Sequence, residues 1–151
     1  GEDNMLDGKI VTNGNVELMM SHVLPDLVKK MISGQHPLHI FGSGQQTRCY
    51  TNGKDIALGI CLAVESPDAI NQAFNISTSR ATTVKELAES VWAALKISQP
   101  LKIVHDEPYK FDILTLVPDT QKAKNILGFE AKIPLEASIR EVINYVKNKQ
   151  A

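Results

Sequence analysis

The sequence predicts a mixed α/β or α+β domain in which helices outnumber strands, about five helices to three or four short strands. Three observations predict it. Apolar residues recur at helical spacing in several separate stretches, for example Leu24, Leu27, Val28, Met31 and Ile32. Short β-rich runs such as Leu38-His39-Ile40-Phe41 alternate with those stretches in mixed order. The chain has 151 residues, 43% hydrophobic and 22% charged, enough for one domain with a real core.

The elements follow in chain order. Residues 1–20 read as loop with at most one short strand, because Gly8, Asn13, Gly14 and Asn15 surround a single apolar pair, Ile10-Val11. The domain proper is expected over 21–151. Its first helix runs from Ser21, with Pro25 in the first turn and Gly34 as a stop. The strand Leu38–Phe41 ends at Gly42-Ser43-Gly44, and Thr47–Thr51 is expected to return from that turn. Asp55 is expected to cap a helix over Ile56–Val64, which is apolar nearly all round and therefore expected to be deeply buried. Ala73-Phe74-Asn75-Ile76 is a strand candidate. Thr83 and Glu86 form a capping box for the clearest helix, whose face carries Val84, Leu87, Ala88, Val91, Trp92 and Leu95. Leu101–Val104 reads as a strand. Asp119 caps a helix that stops at Gly128, and Pro134 opens a last helix on which Glu136 and Arg140 are spaced to pair.

Composition restricts function. A net charge of -1 provides no broad positive field, so neither nucleic acid nor an anionic membrane is an expected partner. No apolar run has the length of a membrane span. Cys49 and Cys61 form no metal-like pair and no disulfide framework, and read as reduced thiols of a cytoplasmic protein. The acidic, polar start Gly1-Glu2-Asp3-Asn4 argues against a secretory signal, and the missing initial Met is consistent with a fragment.

The candidate chemistry is sparse. Gly42-Ser43-Gly44 lacks a third glycine and joins strand to strand, so it reads as a tight turn and not as a phosphate cradle. Tyr50 and Lys54 have Tyr-x-x-x-Lys spacing, but Asn52-Gly53 interrupts any helix that would align them. His22, His36, His39 and His105 read as surface or turn residues, and His105-Asp106-Glu107 as a solvated loop. Arg48 reads as a surface residue on periodicity alone. Its guanidinium fork nevertheless suits bidentate contact with diphosphate oxygens.

The segment 24–64 resembles extended short-chain dehydrogenases/reductases, the NAD-dependent epimerase/dehydratase family. Pro37, Leu38, Ile40, Phe41, Gly42, Gly44, Gln46, Arg48 and Asp55 match that family's strand, turn and helix start in order. The runs "AFNIS" at 73–77, "TTVKELAESV" at 82–91 and "PDTQKAKNILGFEAKIPLEASIREVINY" at 118–145 resemble its later motifs. The resemblance implies the small C-terminal substrate domain of such an enzyme. The Rossmann half that holds NAD or NADP and a Ser/Thr–Tyr–Lys group is missing, so the chain alone is expected to bind no cofactor and to have no catalytic residue.

By the same resemblance Arg48 contacts the diphosphate of a nucleotide sugar, and His22, Val23 and Leu24 lie beside the base. Leu38, Ile40 and Phe41 form the wall along base and ribose, with core packing as the plain alternative for each. Cys49 replaces the usual Asp after the arginine, and a second arginine expected near Phe111-Asp112 is absent, with Lys110 as a point charge nearby. Two functions follow. One is the substrate-binding part of a sugar-nucleotide epimerase or dehydratase, with the missing Rossmann domain as partner and self-association through the undocked face. The other is an interaction or structural domain of the same descent whose ligand site has decayed.

Overall fold

The computed structural model describes residues 22–108 and 110–150. The reading of 1–20 as loop lies outside the described residues. Among those described, the order is α1 (Val23–Ile32), β1 (Leu38–Phe41), β2 (Thr47–Cys49), α2 (Gly53–Glu65), a 3-10 turn (Pro67–Ala69), β3 (Ala81–Thr83), α3 (Val84–Leu95), β4 (Ile103–Asp106), α4 (Gln121–Leu127) and α5 (Leu135–Gln150). The mixed class with five helices and four short strands is as expected.

The main core forms where α1, α3 and α5 turn their apolar faces toward one another and toward β1. Val28, Leu38, Leu87 and Val91 are fully buried there, with Met31, Trp92, Ile139 and Ile143 around them. Leu38 is thus a core residue. A second, smaller core joins the inner side of α2 to α4 through Ala123, Leu127 and Phe129, against Leu62, Phe74 and Ile76.

The capping box is as read: Thr83 Oγ1 accepts from Glu86 N–H at 3.1 Å, and Glu86 Oε2 accepts from Thr83 N–H at 2.8 Å. Gly128 ends α4 with φ +64, a left-handed conformation that suits glycine.

Several expectations are corrected. β2 does not return onto β1. β1 pairs in parallel with β4 (Leu38 opposite Ile103), and β2 pairs antiparallel with β3 (Arg48 opposite Thr82). The turn between them is redirected because Gln46 Nε2 donates to Phe41 O at 3.1 Å, and Gly44 packs against Ile40 and the start of α3. α2 is capped by Asn52, whose Oδ1 accepts from Lys54 N–H at 2.9 Å. Asp55 is instead buried in the first turn and accepts from the N–H groups of Lys132 (3.2 Å) and Ile133 (2.9 Å).

Nor is α2 deeply buried. Leu58, Ile60 and Val64 are 45, 55 and 81% exposed, because only one side of the helix meets α4. Residues 73–76 form no strand; their Phe74 and Ile76 side chains pack in the second core. His105 and Asp106 belong to β4, not to a loop. Glu136 pairs with Arg80 at 2.9 Å and not with Arg140, because α5 begins beside the loop that carries Arg80.

Candidate functional site

A cleft of about 160 Å³ opens where α1 crosses the ends of β1 and β2. Its apolar lining comes from Val23 and Leu27 of α1, Ile40 and Phe41 of β1, and Val84 at the start of α3. The strand alternation explains the wall. Leu38 and Ile40 face inward at 0 and 3% exposure, and Phe41 stands at the rim at 40%. Ile40 is therefore both core and cleft wall, so the two alternatives for it are not exclusive.

The polar lining falls into two hydrogen-bonded groups. Gln46 is 7% exposed, and its Nε2 donates to Phe41 O at 3.1 Å and to Asp112 Oδ2 at 2.8 Å. Asp112 Oδ1 meets Arg48 Nη2 at 3.3 Å, and Arg48 Nη1 donates to Thr47 O at 2.9 Å. On the α1 side, Lys30 Nζ lies 2.8 Å from Asp26 and donates to His39 O at 3.2 Å. It also sits 5.6 Å from the Phe41 ring centre.

Of the sequence-predicted residues, Val23, Ile40, Phe41 and Arg48 converge on this cleft. Leu24 does not: it points into the core. Lys110 lies outside the lining, exposed, with its ammonium 5.7 Å from the Phe111 ring centre. Sequence reasoning missed Asp26, Lys30, Gln46 and Asp112. The i, i+4 spacing of Asp26 and Lys30 was a usable signal for their pair. No local signal joins Asp112 to a residue 64 positions away.

Tyr50 and Lys54 do not form a catalytic pair. The Lys54 ammonium is 2.6 Å from Glu141, and burial pushes the Tyr50 phenol upward despite the nearby Arg48 charge. Burial likewise raises the Cys49 thiol, which favours its protonated form over the thiolate. No group of three His, Cys, Asp or Glu able to hold a metal occurs among the described residues.

The Gly42-Ser43-Gly44 turn presents no free helix N-terminus to a phosphate. The first N–H groups of α3, which adjoins the Gly42-Ser43-Gly44 turn, are already committed. Val84 N–H donates to Gln46 O, Lys85 N–H to Gly44 O and Glu86 N–H to Thr83 Oγ1. Gly44, at φ +74, would bring an added Cβ to 2.8 Å from Ile40 Cδ1, so its smallness serves packing.

A family model described as GDP-mannose 4,6 dehydratase matches residues 13–142. The chain belongs to this family of NAD-dependent epimerases and dehydratases. Its epimerase/dehydratase relatives include a putative UDP-glucose 4-epimerase of Methanocaldococcus jannaschii, 30% identical over 126 residues, covering 83% of this chain and 39% of the relative. UDP-glucuronic acid decarboxylase 1 of Danio rerio is 27% identical over 145 residues, 94% of this chain and 30% of the relative. Among solved structures, UDP-glucose 4-epimerase of Thermotoga maritima with UDP-glucose superposes with a TM-score of 0.76 at 30% identity, over 86% of this chain and 40% of that one. UDP-glucuronic acid 4-epimerase of Bacillus cereus, in complex with UDP-glucuronic acid and NAD, shares the fold at a TM-score of 0.77 and 21% identity. The chain thus spans well under half the length of these epimerase/dehydratase relatives. No helix among the described residues is long and apolar enough to cross a membrane.

Proposed function

We propose that this chain is the substrate-binding part of a sugar-nucleotide epimerase, dehydratase or decarboxylase of the cytoplasm, and that by itself it is catalytically silent. The observation that carries the reading is the convergence of Arg48 with the apolar wall of Val23, Ile40 and Phe41 on one cleft. A guanidinium beside an apolar slot suits a nucleoside diphosphate, whose base is flat and whose phosphates are anionic. At about 160 Å³ the cleft is smaller than the roughly 300–1,000 Å³ of complete small-molecule sites, as expected of half a site.

The other half would be a Rossmann domain supplying the Ser/Thr–Tyr–Lys group and NAD or NADP as hydride acceptor. This chain's part in catalysis is then orientation. Arg48 would hold the diphosphate so that the sugar reaches the reacting groups, a share of the ~7–11 kcal/mol that positioning can contribute. The docking surface for that half would be the exposed stripe Ala57, Ile60, Cys61 and Val64 of α2, next to the unladdered segment 73–76. In its absence the same stripe would drive self-association.

The test is a titration of the chain with UDP-glucose followed by amide shifts. Movement confined to Val23, Ile40, Phe41 and Arg48, and lost in Arg48→Ala, is expected. Unmoved amides at millimolar ligand, in the chain and in a protein restoring the full length of the relatives, would sink the assignment. They would favour the reading as an interaction domain with a decayed site, for which the Arg48–Asp112 pairing is the supporting observation.

A further inference from the structure

The two Lys and Arg cations that line the cleft are each held by a lining carboxylate, Lys30 by Asp26 at 2.8 Å and Arg48 by Asp112 at 3.3 Å. Their charges cancel, so an arriving anion meets no net positive field. The two pairs differ in construction. Asp26 and Lys30 are neighbours on one helix, a common surface arrangement. Asp112 comes from a distant loop and sits on a buried support.

That support fixes it. Both hydrogens of the Gln46 amide are used, one on Phe41 O and one on Asp112 Oδ2. Both partners are acceptors, so the amide must turn its NH₂ toward them, and Gln46 Oε1 is left buried with no partner. The loop is also tied to β2 by Thr47 N–H on Leu114 O (2.8 Å) and Leu116 N–H on Thr47 O (3.0 Å). Asp112 Oδ1 is thereby carried to Arg48 Nη2, while one Nη1 hydrogen is used on Thr47 O. Both ion-pair partners are about three-quarters buried, where a carboxylate competes well with an outside anion.

We propose that Asp112 is an internal stand-in for the ligand's phosphate: it occupies Arg48 when the cleft is empty and must leave Nη2 when an anionic ligand binds. This rests on the reading of Arg48 as an anion contact. Asp112 then sets how strongly the cleft takes up phosphate groups. Only a ligand whose apolar part also fills the Val23–Phe41 slot compensates for displacing it. The cleft thus discriminates a nucleoside diphosphate from free inorganic anions.

The test uses inorganic pyrophosphate, titrated by calorimetry against the whole chain. Asp112→Asn keeps an acceptor for Gln46 and removes the charge. It should bind pyrophosphate at least roughly tenfold more tightly than wild type, in keeping with the strength of charge-assisted bonds. Asp112→Glu, which keeps the charge, should show no such gain. Adding Arg48→Ala to Asp112→Asn should abolish the gain, which separates release of Arg48 from a general change of charge. Asp26→Asn makes the same charge change at Lys30 and should give a smaller gain. Asp112→Ser serves if Asp112→Asn does not fold to the wild-type circular dichroism spectrum.

Unchanged or weaker binding in the neutral variant, no detectable binding by it, or a gain that survives loss of Arg48 overturns the proposal. A gain for pyrophosphate without any binding of UDP-glucose would leave Asp112's role standing. It would count against the nucleotide-sugar reading instead.

Discussion

Asp55 offers the sharpest test of how the two cores are joined. It stands in the first turn of α2, 4% exposed, and its two oxygens each accept one backbone N–H, from Lys132 and Ile133 in the segment that leads into α5. Asp55→Ala removes both acceptors at once. An orphaned buried donor costs ~1–3 kcal/mol, and loss of a carboxylate near a helix N-terminus ~0.3–1 kcal/mol. Lys132 is exposed and Ile133 only half-buried, so water can partly replace the lost oxygens. The lower part of the range applies, about 2–3 kcal/mol in total. For a chain of this size that lowers Tm by roughly 4–12 °C. Asp55→Asn retains one acceptor and should recover about half of the loss. Urea unfolding at pH 7, read as the change in midpoint at constant slope, measures both. An Asp55→Ala protein within ~0.5 kcal/mol of wild type would refute the reasoning, because it would mean that the two N–H groups find equivalent partners without the carboxylate.

Two further stability predictions and two binding predictions accompany it. Gly59→Ala within α2 would ordinarily gain up to ~1 kcal/mol of helix propensity, but the added methyl would collide with Ile76 and reach the Phe129 ring, so a net loss of about 1–3 kcal/mol is expected in the same urea assay. The Glu86 carboxyl is held below its ordinary value, first by the Thr83 N–H and then by the Thr83 hydroxyl. A depressed folded-state value means that its contribution is present at neutral pH and is lost as pH falls below about 4. Thermal scans from pH 6 to pH 3 should therefore fall more steeply for wild type than for Glu86→Gln, and parallel curves would contradict this. Arg48→Ala should remove the amide shifts that UDP-glucose produces around the cleft. Asp112→Asn should strengthen pyrophosphate binding, through Arg48 alone.

What was legible in the sequence was local. The α3 capping box and the Gly128 stop depend on residues within a few positions of each other, and both read correctly. The partners of β1 and β2 were not legible, because β4 and β3 lie far along the chain and no turn signal encodes them. Arg48 was legible as a candidate because it sits in a recognisable ordered motif. Asp112 was not, because its partner is 64 residues away. Leu24 was misplaced by a single step of helical phase: Val23 reaches the cleft, and its neighbour turns inward.

Two misreadings point in one direction. α2 was expected to be buried because it is apolar all round, and 73–76 was expected to be a strand because of its composition. Both expectations describe a chain whose α2 stripe is covered and whose 73–76 backbone is paired. In the structure the inner side of α2 and the side chains of Phe74 and Ile76 form a core with Phe129, while the stripe from Ala57 to Val64 remains open. A segment that joins no strand, beside an uncovered apolar helix, is an arrangement that an added strand and its sheet would complete. The chain spans 39% of the length of its Methanocaldococcus jannaschii relative. The Rossmann half proposed above would meet both expectations by covering α2 and pairing with 73–76. If so, adding that half in trans should protect the 73–76 amides from hydrogen exchange while leaving α3, already in the main core, unchanged. Protection of α3 without protection of 73–76 would place the docking surface elsewhere.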